Sequence, residues 1–317
     1  MLVYYPYLRA KQYELKALKE FSSENKGQSA ILPIIEPVKR ENSVLSSAIK
    51  EMQGNALKFA LILNPSDGDY KHATVHFDLR MLDDGFLLNK DGWIPAFLYS
   101  RYNIDSIKQQ ISDYQLKDVM VVFRDGMDAD DAEAWDLIRD SRVRYVVNAF
   151  GSMVSRRLVR RLFDTDREII RLDSCFKSQP RNVDYLSSVD DFFSEVPFYA
   201  EEDGFDGYSD YTTLPSEYVE GGMLPYALVI HLSYQKNEDQ LYVHHFVSDS
   251  NETNSNVSGK FYQAAQKVEP FYRERARTAA VEEIIERATA EDGYPGLGYL
   301  KKLSIKNHLE LILSLNR

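Results

Sequence analysis

Short apolar runs recur along the chain with helix-period segments between them, and this alternation is the strongest signal the sequence carries. The runs are ILPIIEPV (31–38), KFALILNP (58–65), WIPAFLYS (93–100), VMVVFRDG (119–126), RYVVNAF (144–150), EIIRLDS (168–174), VPFYAE (196–201) and YALVIHLSY (226–234). Several are apolar nearly throughout, as strands covered on both faces are. Between them, Ile104, Ile107 and Ile111 fall three and four apart, and DADDAEAWDLIRD opens with Asp128, Asp130 and Asp131, acids suited to a helix N-terminus. MVSRRLVRRLF and NVDYLSSVDDFF read the same way.

Strand–helix alternation implies parallel strands joined by right-handed crossovers. Eight strands spaced by about 25 to 30 residues fit a closed (β/α)8 TIM-like barrel better than an open sheet. The eighth run is followed by QKNEDQ and LYVHHFVSD, a hairpin rather than a crossover helix, so a doubly wound sheet with an antiparallel edge hairpin is the alternative. RAKQYELKALKEF (9–21) reads as a helix capping one end. From about residue 257 onward the pattern is helical, through SGKFYQAAQKV, TAAVEEIIERATAEDG and SIKNHLELILSL. The expected division is therefore a barrel with its N-terminal cap over 1–256 and a helical extension over 257–317.

Composition narrows the function classes. Thirty-eight Lys and Arg stand against 49 Asp and Glu, a formal charge of −11, which argues against a protein that coats nucleic acid by bulk electrostatics. A single cysteine, Cys175, leaves no disulfide framework and no cysteine zinc finger. No apolar run approaches the ~18 residues of a membrane span, and the N-terminus lacks a signal-peptide core, so the expectation is a cytoplasmic protein without membrane attachment. No GxGxxG, Walker loop, GxSxG or kinase motif is present, which disfavours dinucleotide oxidoreductases, P-loop NTPases and α/β-hydrolases.

In a parallel barrel, functional groups gather at the C-terminal ends of the strands. Those ends carry Glu36 and Lys39, Asn64, Ser100 and Arg101, Arg124 and Asp125, Asn148, Asp173 and Ser174, then Glu201, Glu202, Asp206 and Asp210, and finally His231. Glu36 is the leading candidate, because a carboxyl after four apolar residues and before Pro37 points into the barrel mouth, with Lys39 and Arg124 as available cations. A structural ion pair between strands is the competing account of the same residue. Asp203, Asp206 and Asp210 lack the alternate-position spacing of an EF-hand, and EEDGFDGYSDYTTLP reads as a loop over the mouth. His244 and His245 face opposite sides of a strand, so only one can join His231. His72 and His76 are four apart in a loop-like setting, and no zinc motif accompanies any histidine. No metal is assigned, and no cofactor is identified. Cys175 reads as a small packed side chain. The basic runs Arg156, Arg157, Arg160, Arg161 and Arg273, Arg275, Arg277 read as solvated faces paired with nearby acids.

The opening YYPYLRAKQYELKAL, followed by ILPIIEPVK and ALILNP, resembles the start of the bacterial and phage beta family proteins. GFDGYSDYTTLP and LYVHHFVSD resemble a branch of that family encoded beside a second small protein as a two-gene pair. The likeness spans most of the chain and is weakest after about residue 270. It lends no catalytic residue. It implies a bacterial or phage origin, a mobile-element or antiviral defence context, and a protein partner encoded by the neighbouring gene. It singles out the matched positions Arg9, Lys11, Gln12, Glu14, Glu36, Asp206 and Asp210.

Two functions follow as expectations. The first is a barrel that binds a ligand or partner within a two-component bacterial system. The second is a barrel hydrolase or lyase acting on a phosphorylated or nucleotide-like substrate. In the second, Glu36, Asp206 or Asp173 supplies acid–base or metal chemistry, and Lys39, Arg124, Arg9, Lys11, Asp210 and His231 bind an anionic small molecule.

Overall fold

The computed structural model describes residues 2–71, 77–79, 92–150, 155–221, 224–290 and 293–315. In chain order the elements are β1 (Val3–Tyr4), β2 (Tyr7–Leu8), α1 (Gln12–Glu24), β3 (Ile34–Ile35), α2 (Ser43–Gly54), β4 (Phe59–Ile62) and β5 (Trp93–Leu98). There follow α3 (Ile104–Asp113), β6 (Val119–Phe123), α4 (Ala132–Ile138), β7 (Val143–Ala149), α5 (Arg156–Phe163) and β8 (Glu168–Asp173). Next come β9 (Asp190–Ser194), α6 (Val196–Tyr199), β10 (Gly207–Asp210), β11 (Val229–Asn237) and β12 (Gln240–Val247). The chain ends in α7 (Val257–Ala265), α8 (Val268–Phe271), α9 (Ala279–Thr289) and α10 (Leu297–Leu315). Contacts divide it into two units, one of residues 1–15, 22–174 and 196–211, the other of residues 16–21, 175–195 and 212–317.

The first unit is an α/β fold built on a curled parallel sheet of nine strand segments, a half-barrel, in the order β1-β10-β8-β7-β6-β5-β4-β3-β2. Neighbours follow chain order without a reversal, so the doubly wound alternative, which needs a switch point, does not apply. A closed eight-stranded ring is not what the strand order gives: β1 and β2 are its two edges. Only Tyr5 and Pro6 separate those edges, and proline has no amide with which to continue a ladder. The Tyr5 amide donates to the Tyr208 carbonyl on one side, while the Tyr4 amide donates to the Ala30 carbonyl and the Ile34 amide to the Pro6 carbonyl on the other.

Side chains two apart on a strand share a face. Ile34, Ala60, Ile62, Ile94, Ala96, Leu98, Met120, Val122, Tyr145, Val147, Ile170 and Leu172 fill one face of the curl, joined by Tyr5, Tyr7 and Tyr211. Helix starts are capped as the acidic and hydroxyl positions require: Asp131 accepts the Ala134 amide at α4, and Ser155 accepts the Leu158 amide at α5.

Two expected ring strands lie elsewhere. VPFYAE forms the short helix α6 instead, with Pro197 in a first turn where its missing amide costs no hydrogen bond. YALVIHLSY enters a separate antiparallel sheet, β11-β12-β9. Their places in the parallel sheet are taken by residues 3–8, expected only as the approach to a cap, and by Gly207–Asp210.

In the second unit the hairpin β11–β12 lays Leu228, Ile230, Leu232, Tyr234 and Phe246 against Phe261, Ala264, Val268, Ala280, Val281, Ile284, Leu300 and Leu303 of the C-terminal helices. The hairpin, expected with the barrel in 1–256, thus shares its core with residues 257–315, because its second apolar face needs covering. The buried Lys302 and Lys306 on α10 both reach Glu20, and Lys302 also stands over the Tyr299 ring at 3.9 Å. No helix among the described residues is long and apolar enough to cross a membrane.

Gly207 marks the closest packing of β1 on β10. A Cβ there would stand 2.6 Å from Tyr5 Cε2 and 3.0 Å from the Val3 carbonyl oxygen. Gly207→Ala is expected to cost about 2 kcal/mol by overpacking. In urea this lowers the unfolding midpoint at constant slope; an unchanged midpoint would show that the Tyr5 ring simply moves aside.

Candidate functional site

The inward-facing set continues past the ends of the strands. Glu36 follows Ile34 by two positions, Arg124 follows Val122, and Tyr211 follows Ser209, so each side chain leaves its strand on the filled face of the curl. Tyr7 is the last inward residue of β2, and the loop after β4 brings Ser66 and Asp67 to the same place.

Glu36 is completely buried, at 0% exposure. Its Oε2 accepts the Tyr7 hydroxyl at 2.6 Å and Arg124 Nη1 at 3.1 Å. Its Oε1 accepts the amides of Ser66 at 2.9 Å and Asp67 at 3.3 Å. A carboxylate offers about four acceptor positions, and here all of them are engaged. Arg124 extends the cluster: Nη1 also donates to Asp67 Oδ2 at 2.9 Å, and Nη2 donates to Ser66 Oγ at 3.1 Å. Asp67 Oδ2 accepts Arg9 Nε at 2.9 Å as well. The Arg9 guanidinium stands 5.9 Å from the Tyr7 ring centroid and 5.4 Å from that of Tyr211, and its backbone amide donates to Glu14 Oε2 at 2.6 Å.

Two guanidinium groups and two carboxylates therefore alternate in one partly dry cluster. Burial, then the charge of Glu36, holds the Tyr7 phenol well above its usual range; burial pushes Tyr211 up to about 12, with Arg9 and Arg124 opposing the rise. Both phenols keep their protons at neutral pH, and that of Tyr7 donates to Glu36. Burial disfavours the Arg124 cation, but Tyr7, Glu36 and Asp67 outweigh it and raise its pKa. The Arg124 side chain is 23% exposed, and of its five N–H donors three are used within the cluster. The side chain is partly exposed and its other donors are not used within the cluster, so the arrangement can take an anion.

Of the residues predicted from the sequence, the structure brings Glu36, Arg124 and Arg9 together. Lys39 pairs with Asp69 at 3.1 Å on the exposed side instead of with Glu36. Lys11 lies half-buried at the start of α1, its carbonyl accepting the Leu15 amide. Asp206 precedes β10 and sits at the opposite end of that strand from Asp210, where its carboxylate accepts the Ile169 amide at 2.8 Å; it fastens β10 to β8. Asp210 and Asp173 are register partners one position out of phase with the inward set, which directs them to the other face. Asp210 accepts the Tyr4 hydroxyl at 2.5 Å, and Asp173 accepts Arg171 at 2.7 Å. Burial raises the Asp173 carboxyl despite Arg171, and Asp210 adds to the rise. His231 lies in the antiparallel sheet of the second unit, 2.7 Å from His245, the one member of the His244–His245 pair that joins it.

The remaining strand-end groups tie structure together. Asn64 exchanges two hydrogen bonds with the Leu98 backbone, linking β4 to β5. Arg157 pairs with Asp130, Arg161 stands 4.1 Å over the Trp135 ring, and Arg273 and Arg277 pair with Glu269, as solvated faces do. His72 and His76 lie outside the described residues. Among the described residues no group of three or more His, Cys, Asp or Glu side chains is disposed to hold a metal ion.

The sequence reasoning missed Tyr7, Ser66 and Asp67, whereas Tyr211 is a residue that the loop reading of EEDGFDGYSDYTTLP offers to a ligand together with Asp206 and Asp210. The alternation of YYPYL would have shown Tyr7 once residues 3–8 were read as a strand, and NPSDGD directly after β4 is the loop expected at a strand's C-terminal end. Gly68 makes that loop possible, with φ +61° and a position where a Cβ would meet the Val38 carbonyl oxygen at 2.2 Å. Comparison of the chain with protein-family models finds no match, and comparison with curated proteins finds none either.

Glu36→Gln keeps the shape but removes the charge facing Arg124 and sets an amide against donor groups. The expected cost is about 3 kcal/mol, the scale for breaking a buried pair, read from chemical denaturation; a loss below about 0.5 kcal/mol would show that the carboxylate does not hold the cluster together. A second expectation concerns pH. Burial is the largest influence on all three and lowers the pKa of His231, His244 and His245; His231 is further lowered by His245 and Lys301, whereas Asp190 and Asp191 oppose the shift at the other two. The unfolded chain protonates near the ordinary value of about 6.5 and so binds more protons than the native state as pH falls. Stability is then present above that value and lost as pH falls through about 6.5, the loss continuing until the lowered native values are passed. His231→Gln should flatten this slope in thermal melts taken across the range.

Proposed function

We propose that this chain is a binding module in which a (β/α)8-type barrel mouth holds an anionic small molecule on Arg124. Counting β1 and β2 as one strand interrupted at Pro6 gives eight ring positions, and the hydrogen bonds of Tyr4 and Tyr5 to both neighbours support that count. The observation that carries the binding reading is the state of Glu36: every acceptor position is filled from within the protein, while Arg124 keeps donors for a ligand. A general base must have a lone pair within reach of the proton it takes. The hydrolase or lyase reading with Glu36 as acid–base would require that cluster to come apart first, and with Asp206 it would require the bond to the Ile169 amide to break at the other end of β10. The resemblance to beta family proteins supports a setting in the bacterial cytoplasm, in a two-gene, antiphage-type system with a partner protein encoded alongside.

Isothermal titration with inorganic phosphate and with a nucleoside monophosphate tests the site. Wild-type protein should bind at least one of the two, and Arg124→Gln should weaken that binding at least about tenfold, or 1.4 kcal/mol. Equal binding by the two proteins, or none by the wild type, overturns the reading.

A further inference from the structure

The second unit holds a chain of titratable groups that the barrel site does not use. Asp191 on β9, His245 on β12 and His231 on β11 are brought side by side by the strand pairing. The Asp191 carboxylate accepts the Ser188 hydroxyl at 2.6 Å on one oxygen and lies 3.2 Å from His245 Nε2 on the other. His245 Nδ1 and His231 Nδ1 are 2.7 Å apart. The backbone amide of His245 donates to the Val189 carbonyl at 2.8 Å, which fixes the ring's origin.

These contacts determine the tautomers. A carboxylate only accepts, so His245 Nε2 carries its proton. Burial keeps both imidazoles neutral at neutral pH, so His245 Nδ1 is bare and accepts, and His231 Nδ1 is the donor. His231 Nε2 is then left as a lone pair. No hydrogen bond within the described residues engages that nitrogen, and the residue is only half-buried. The surround is aromatic and aliphatic. Phe176 lies edge-on to His231 at 5.1 Å, and Tyr185 lies 4.9 Å from His231 and 4.3 Å from His245. Tyr185 is itself anchored by the Gln179 amide, and it packs with Val183, Ala227, Val229 and Val247. The charge of Lys301 acts on His231, while those of His244 and Asp190 act on His245.

We propose that Asp191, His245 and His231 form a second reactive centre, in which His231 Nε2 is a nucleophile for an acyl group. In the step, the Nε2 lone pair forms a bond to the acyl carbon, and the bond to the leaving oxygen breaks with its electron pair going to that oxygen. The Nδ1 proton of His231 passes to His245 Nδ1. The acylated ring is then neutral, and the positive charge rests on His245 against Asp191, an orienting role like that of the acid in a catalytic triad. The apolar walls suit a neutral acyl group better than a dianionic phosphoryl group.

Diethyl pyrocarbonate, which acylates neutral imidazole, tests this on the full chain with peptide mass mapping of all six histidines. His231 should be modified fastest, and Asp191→Asn should slow it about tenfold or more at unchanged melting temperature. An unreactive His231, or a rate unmoved by that substitution, overturns the proposal. Should Asp191→Asn lower the melting temperature, the conservative Asp191→Glu decides: a rate restored to within about threefold of wild type upholds the relay, and a rate as low as that of Asp191→Asn overturns it.

Discussion

A carboxylate carried to the dry inner face of a curled sheet must have each of its lone pairs met from within the protein, and that requirement organises the first unit. Leaving even one such acceptor unmet costs on the order of 1–3 kcal/mol, more for a charged group. Glu36 meets the requirement by drawing a phenol from β2, a guanidinium from β6 and two backbone amides from the loop after β4. Segments far apart in sequence thereby converge on one residue. The loop of Ser66 and Asp67 is shaped by the carboxylate it serves, and Gly68 supplies the turn that lets it approach Val38. Asp67 then has Arg124 and Arg9 on the same oxygen, so the second negative charge is met by two cations.

The period of two explains what could be read from the chain and what could not. Three of the buried parallel strands, β4 to β6, are continuous apolar runs, which announce themselves by composition, and Arg124 just past β6 and Glu36 just past β3 were visible as polar residues. The face each polar residue takes is set by its phase relative to the filled interior. Glu36 and Arg124 are in phase with Ile34 and Val122, whereas Asp173 and Asp210 are not, and a tip-by-tip reading without phase groups them together. The first strand was obscured because Pro6 breaks it into two pairs of residues, each too short to show alternation. VPFYAE carries the residues of a strand, yet its proline stands where a helix begins, and tertiary context overrode propensity.

The second unit shows the same principle with antiparallel pairing. On β11 the alternation leaves Ile230, Leu232 and Tyr234 to the helical core and His231 and Ser233 to the other side. Ser233 Oγ lies 2.7 Å from His308 Nδ1 of α10, and Asn307 donates to its carbonyl, so the long helix is registered on the hairpin by polar contacts in addition to packing. The buried Lys302 and Lys306 extend this: they bring charge into α10 only where Glu20, Glu283 and Glu310 answer it. The helical tail could be read from its period, but its attachment to the hairpin could not, because that depends on which face of a two-sided strand remained uncovered.

The two clusters differ in the property that separates binding from chemistry. At the mouth of the curled sheet Glu36 is saturated, its charge is matched by a guanidinium group, and the open valence belongs to a cation that cannot give up its proton at physiological pH. Such a site can hold an anion and orient it, and Glu36 within it has no acceptor position left to receive a proton. In the hairpin the order is reversed. A carboxylate fixes one imidazole, that imidazole fixes the next, and the last nitrogen in the line is left with an unshared pair in apolar surroundings. A neutral base held in a defined tautomer, with a partner ready to take its other proton, has the elements of nucleophilic catalysis whichever substrate reaches it. Where a structure leaves its unspent hydrogen-bonding capacity, on a donor or on an acceptor, therefore distinguishes the two roles more sharply than the presence of charged side chains does.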